Sequence, residues 1–136
     1  MLKSFKTEIH PTPEQKCKIN KTIGTCRYIY NFYLSQNKEL YEKGESFLSG
    51  KSFSIWLNQE YLPRHPEKGW IKEVSSKAVK KAMEDGCTAF TRFFNHQSGF
   101  PKFKKKEKSD VKMYFVKNNP MDCLCERHRI KIPTLG

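Results

Sequence analysis

The sequence lacks any run approaching the ~20 apolar residues of a membrane-spanning helix, and its first residues, Met1-Leu2-Lys3-Ser4-Phe5-Lys6, lack the apolar stretch of a secretory signal. No membrane partner is expected, and a reducing cytoplasm is the expected location. Matched cysteine pairs are missing too. Cys17, Cys26, Cys87, Cys123 and Cys125 are odd in number and do not read as a disulfide framework. Cys123, Cys125 and His128 lie close together, but structural zinc takes four ligands, usually from spaced cysteine pairs, and there is no second pair. Hairpin packing is the better reading of that segment. There is no phosphate-loop pattern and no nucleophile–histidine arrangement. Glu84-Asp85 is the only adjacent acidic pair within the second long helix, and adjacent residues do not share a helical face. A carboxylate constellation holding Mg²⁺ for phosphodiester cleavage is therefore not expected, and neither catalysis nor a cofactor is assigned to this chain.

Acidic residues are scarce relative to basic ones. The 136 residues hold 26 Lys/Arg against 14 Asp/Glu, a net charge of +12 with an isoelectric point near 9.6. A field of that sign favours polyanionic partners. Residues 72–136 hold 15 of the bases and 7 of the acids, so a phosphate-binding site is sought there. The length suits one domain, or one domain with an insertion. Aromatic residues, at 13%, are plentiful enough to build a core.

Periodicity divides the chain into strand, helices and strands. Residues 2–9 alternate imperfectly and read as a short strand ended by His10-Pro11. Thr12-Pro13-Glu14-Gln15 is a helix start, with a capping residue, proline at the first helical position and a capping-box glutamine. The stripe that follows is Ile19, Ile23, Cys26, Tyr30, Tyr33 and Asn37. Gly24 interrupts it, and Gly44 marks its end. Ser52 is the expected cap of a short helix through Ile55 and Trp56, Pro63 and Pro66 bracket a turn, and Trp70, Ile71 and Val74 pack at a corner. Glu73 reads as solvated. A second long helix starts at Ser75 or Ser76, with Val79, Met83, Gly86, Phe90 and Phe93 on one face and alanines at 78, 82 and 89 widening it. That stripe is read as core. Beyond residue 108 the period becomes two, at Val111, Met113 and Phe115. A hairpin then turns at Glu126-Arg127 and returns through Ile130 and Ile132. A lone N-terminal strand needs later strands as partners, so the helices read as an insertion within one sheet or small barrel.

The stretch from Ser75 to Lys108 concentrates the chemistry. Its helix runs into Gly99-Phe100-Pro101-Lys102-Phe103-Lys104-Lys105-Lys106, a basic loop with two phenylalanines among lysines. Lysines supply phosphate contacts. Phe100 and Phe103 could stack on bases, but anchoring of the loop to the core is the favoured reading for both.

Several blocks together resemble the TnpB (OrfB) proteins of insertion-sequence transposons. They are Lys3 to Gln15, Cys26-Arg27-Tyr28-Ile29-Tyr30-Asn31, the helix from Ser75 to Phe94, the loop from Gly99 to Lys106, and Ile130 to Gly136. The resemblance implies an RNA-guided DNA endonuclease related to type V CRISPR effectors, with a helical recognition domain inserted in a small wedge-like β-barrel. The implied fold is α+β: barrel segments at 1–11 and 109–136, partly formed and antiparallel, around a helical insertion at 12–108 that includes the basic loop 99–108. The family's RuvC-like nuclease part, with its Mg²⁺ triad, and its zinc insert follow the point where this sequence stops. They carry over to no residue here. His10 stands where the family usually has tyrosine, and Gly86 where it usually has an aliphatic residue.

The implied function is binding of guide RNA and target DNA without cleavage by this chain. Alternatives are a portion of an active nuclease whose RuvC-like domain is encoded downstream, or a remnant without function. The implied partners are DNA, structured guide RNA and the family's C-terminal nuclease domain. Target DNA is assigned to Ser76, Lys77 and Lys80, with Phe53 added from its approximate place in the recognition domain. Backbone contact is assigned to Lys102, Lys104, Lys105 and Lys106, and Arg27 to a structural or RNA contact.

Overall fold

In the computed structural model, residues 8–105 are described continuously, together with Ser4 and the backbone of residues 124–125 and 130–131. Helix α1, Pro13–Glu42, is bounded as its sequence dictates. The Thr12 amide donates to Gln15 Oε1 at 2.9 Å and the Gln15 amide donates back to Thr12 Oγ1 at 3.2 Å, so two of the helix's orphan donors are satisfied reciprocally. At the other end Gly44 takes φ +69°. The Glu45 amide donates to the Leu40 carbonyl at 2.9 Å, the closing bond of a Schellman turn.

The buried face of α1 is rotated from the expected stripe. Thr22, Thr25, Cys26, Ile29, Tyr33, Leu34 and Asn37 are buried, whereas Ile19, Ile23 and Tyr30 are only half-buried. Apolar residues occupy two neighbouring rows of this helix, and packing selects one of them. The selection is visible at Gly86 on α4, Ser76–Phe94. A Cβ there would lie 2.5 Å from Tyr33 Cδ1, so the missing side chain is the space that the tyrosine ring fills.

Between α1 and α4 the chain is helical almost throughout. Ser49, not Ser52, caps α2, Gly50–Trp56, by accepting from the Ser52 amide at 3.2 Å. A π-helical turn, Leu57–Tyr61, leads into α3, Leu62–Arg64. The widened turn falls just before Pro63, whose ring would meet the Gln59 carbonyl in a regular α-helix. A 3-10 helix, Pro66–Glu73, follows and buries Ile71. Glu73 is exposed and pairs with Lys21 on α1.

The core is aromatic, and α4 packs on both α1 and α2. Tyr33, Phe53 and Phe90 have no exposed surface. Phe53 meets Tyr33 edge-on at 5.3 Å and Phe32 at 5.5 Å. Such pairs add about 0.5–1.5 kcal/mol each beyond their buried area. The polar atoms inside are satisfied: Tyr33 Oη donates to the Leu48 carbonyl at 2.7 Å, and the Leu48 amide donates to Asn37 Oδ1 at 2.8 Å. These bonds tie the α1–α2 connection to the core.

The expected α+β fold with a wedge-like barrel is overturned. The described residues form a helical unit whose stripes on α1, α2 and α4 bury one another, so no sheet is needed to cover them. The strand pairing described is one antiparallel ladder of two residues on each side, Leu124 opposite Lys131 and Cys125 opposite Ile130. It lies where the sequence places a hairpin, but the strands among the described residues are too short to close a barrel. Most of the strand expected at 2–9, the alternating segment after residue 108, and the side chains of Cys123, Cys125 and His128 lie outside the described residues.

Candidate nucleic-acid interface

Two grooves flank α1 and α4. The first runs between α2 and α4 and is lined by Lys51, Ser54, Lys80, Glu84, Thr88 and Arg92, among others. On α4 its residues fall in two neighbouring rows at four-residue steps, Lys80, Glu84, Thr88 and Arg92 on the exposed side and Met83, Cys87 and Thr91 beside the buried stripe. No ion pair involves Lys51, Lys80 or Arg92 among the described residues. Glu84 contacts Lys81, which is also 3.7 Å from Asp85. Beside the Glu84 carboxylate, the groove thus presents three cations that make no ion pair among the described residues and the hydroxyls of Ser49, Ser54, Thr88 and Thr91, donors of the kind that contact a phosphodiester backbone.

The second groove lies over the outer face of α1. Arg27, Asn31 and Ser35 form one row of its floor and Gly24, Tyr28, Phe32 and Gln36 the next, while Trp70 and Phe103 contribute from the 3-10 helix and the basic loop. Lys68 Nζ sits 5.2 Å from the Tyr28 ring centre, and Tyr28 meets Trp70 edge-on at 5.0 Å.

The basic loop reaches this face through one side chain. Asn31 Nδ2 donates to the Lys104 carbonyl at 2.9 Å, and the Lys104 amide donates to Asn31 Oδ1 at 2.8 Å. Lys104 Nζ lies over the Tyr30 ring, 4.3 Å from its centre. Nearby, burial pushes the Cys26 thiol up to about 11, against the pull of Lys104. Burial also raises the Tyr30 hydroxyl, with Asp85 adding to the shift.

The expected site residues are therefore divided. Lys80 stands in the α2–α4 groove and Ser76 is exposed at the start of α4. Lys77 is half-buried and engaged with a partner, as is the exposed Lys105. Lys102 is exposed, Lys104 is tied to α1, and Lys106 lies outside the described residues. Arg27 belongs to the other groove. Phe53 is enclosed by rings and presents no face to a base. The phenylalanines of the loop also part. Phe100 anchors, meeting Phe93 at 5.0 Å and Phe90 at 5.5 Å, while Phe103 keeps half its surface exposed. Sequence reasoning missed Lys51, Arg92 and Trp70. The four-residue row from Lys80 was a legible signal for Arg92. Lys51 had none, since it joins that row only through packing.

Among the described residues no group of three or more His, Cys, Asp or Glu could hold a metal ion. No described helix is long and apolar enough to cross a membrane.

A family model described as a helix-turn-helix domain, HTH_OrfB_IS605, matches residues 1–46. Its described part here is the single helix α1 with its flanks, so a second helix packed on α1 comes from outside the matched segment. The chain is 28% identical over 135 residues to a protein of Escherichia coli (strain K12) provisionally named RNA-guided DNA endonuclease InsQ, covering 99% of this chain and 32% of that one. It is 27% identical over 120 residues to another provisionally named RNA-guided DNA endonuclease, from Streptomyces pristinaespiralis, covering 85% of this chain and 28% of that one. With virulence protein VsdF of Salmonella dublin it shares 33% identity over 113 residues, 78% of this chain and 95% of that protein. The chain thus spans about a third of the length of the two endonuclease-named relatives and nearly all of VsdF.

Proposed function

The chain belongs to the TnpB (OrfB) family of insertion-sequence proteins, and from that premise we propose that its helical unit binds nucleic acid through the α2–α4 groove without cutting it. The observation that carries this reading is the set of cations that make no ion pair among the described residues, Lys51, Lys80 and Arg92, beside the hydroxyls of Ser54 and Thr88. Helix α4 supplies a rigid rail for Lys80 and Arg92, and α2 places Lys51 across from them. The ligand is a phosphate backbone, with target DNA assigned to this groove and to Ser76 at its end. Lys102, Lys104, Lys105 and Lys106 of the basic loop are assigned to a nucleic-acid backbone, that of structured guide RNA.

Salt-dependent binding to duplex DNA and structured RNA tests the reading. Each neutralised phosphate contributes about 0.9 to the slope of log affinity against log salt on duplex DNA. Lys51→Ala, Lys80→Ala and Arg92→Ala together are expected to lower that slope by roughly 2–3. An unchanged slope and affinity would remove the groove from the interface.

A second reading is supported by the names and lengths of the relatives: the unit works as one part of a longer RNA-guided nuclease, with the cutting residues elsewhere. An in-frame continuation in the adjacent DNA, encoding an acidic Mg²⁺ triad, is its test.

A further inference from the structure

We propose that the groove on the outer face of α1 is a separate site for unpaired nucleotides, built to stack a base and hold its phosphate. The proposal rests on nucleic acid being the ligand class, as above, but its residues and its preferred form of ligand differ.

The argument starts from what the groove exposes. Phe103 is 50% exposed although its neighbour in the loop, Phe100, packs onto Phe90 and Phe93. An aromatic ring left half exposed keeps surface that a ligand can cover. It is nonetheless held in place, because Lys104 is fastened to Asn31 on α1 by two hydrogen bonds. The opposite contribution comes from Trp70, partly buried and set edge-on against Tyr28. On the floor, Arg27 makes no ion pair among the described residues, and neither Ser35 nor Gln36 is engaged in a side-chain hydrogen bond there. Aromatic surface, a free guanidinium and uncommitted amide and hydroxyl groups therefore converge in one groove.

Those groups match a nucleotide with its base unstacked from its neighbours. A duplex buries its base faces within its own stack and offers only edges and phosphates, leaving the rings of Trp70 and Phe103 unused. A single strand offers a π-face to the aromatic groups and a phosphate to Arg27. Lys68, near the groove through Tyr28, adds positive charge. That charge argues against the other ligand of aromatic grooves, a neutral proline-rich peptide. The chemistry common to single-stranded RNA and DNA is what the groove can hold, and the sugar is read by comparing the two.

The test measures fluorescence anisotropy of labelled ten-nucleotide oligo-U, oligo-dT and a blunt ten-base-pair duplex with the full 136-residue chain. Phe103→Ala and Arg27→Ala alter exposed or partly exposed side chains, and thermal melts by circular dichroism verify that each variant folds. Each substitution is expected to weaken single-strand binding about five- to hundredfold, the range for one stacked base, with duplex affinity changed less than twofold. Lys51→Ala with Lys80→Ala is expected to do the reverse. Weaker binding of oligo-dT than of oligo-U would assign the ribose, and equal binding would assign base and phosphate alone. Both outcomes support the site. Parallel loss of duplex and single-strand affinity in Phe103→Ala would overturn it, as would single-strand affinity untouched by both variants, or capture of a proline-rich peptide in preference to either oligomer. If the unaltered chain binds neither duplex nor single strand, the nucleic-acid reading itself fails, an outcome separate from failure of this groove alone.

Discussion

The carboxamide of Asn31 holds the peptide of Lys104 by both of its hydrogen-bonding groups, across 73 residues of sequence. A side-chain amide thereby imitates a neighbouring strand: it accepts from the N–H and donates to the C=O of the same residue. The consequence is that the basic loop is docked on α1, which sets Phe103 at the groove and places Lys104 Nζ over Tyr30. Asn31→Ala leaves both backbone groups of Lys104 to water, an expected cost of about 1–3 kcal/mol. Urea denaturation measures that cost. Hydrogen exchange at the Lys104 amide is expected to rise more than exchange within α4, because the loop can detach before the helices separate.

Gly86→Ala is expected to destabilise the fold even though alanine is the better helix former by about 1 kcal/mol. The added methyl would lie 2.5 Å from Tyr33 Cδ1. The Tyr33 ring cannot yield easily, since its hydroxyl is bonded to Leu48 and its faces meet Phe53 and Phe90. Overpacking of this kind costs about 1–3 kcal/mol, so a lower melting temperature is expected. A melting temperature at or above that of the unaltered chain would mean that the ring has room to shift.

Gly24→Ala is expected to act in the opposite sense. The nearest atom to a Cβ at this position is Arg27 Nη2, at 3.9 Å, so no backbone passes close and the helix gains up to about 1 kcal/mol. The comparison of these two variants by thermal melting separates a glycine required by packing from one that is not.

His96 takes φ +60° just past the end of α4, while the Gln97 amide donates to the Arg92 carbonyl at 2.8 Å. This is the helix-end geometry that Gly44 adopts after α1, here occupied by a residue with a Cβ. His96→Gly relieves that conformation, and a gain of about 1 kcal/mol is expected. Gly44→Ala is expected to lose a similar amount. Urea midpoints of the two variants should therefore move in opposite directions.

Stability is expected to fall as pH rises from 9 toward 11. The Cys26 thiol has its ordinary value of 9.0 when unfolded and about 11 when folded. Above pH 9 the unfolded chain releases that proton and the folded chain retains it, so alkali favours unfolding. The full effect, about 3 kcal/mol, is reached only above pH 11. Burial of Tyr33 acts in the same direction at higher pH. Cys26→Ala should flatten the slope of urea midpoint against pH between 9 and 11, whatever it does to the midpoint at pH 7.

How much of this was legible before the chain was folded depends on the range of the interactions concerned. Helix ends depend on residues within about four positions, and Thr12, Gln15 and Gly44 were readable on that basis. So were the excess of positive charge and the buried stripe of α4 from Val79 through Phe90. The family was carried by short blocks whose residues stand in order along the chain. Tertiary packing decided the rest. Two apolar rows competed on α1, and the space at Gly86 chose the one bearing Tyr33. Phe100 and Phe103 look alike in sequence, but one meets Phe90 and Phe93 and the other is left at a groove once Asn31 has fixed Lys104. Phe53 sits in a segment assigned to nucleic acid, yet Phe32, Tyr33 and Trp56 enclose it. Lys51 faces Lys80 and Arg92 only because α2 lies across α4. The barrel expected around the helices came from strand-like alternation, which marks a chain that can pair but not how far a ladder extends. Local rules set the elements and their charge; contacts between residues distant in sequence determined which faces were buried and which remained open to a ligand.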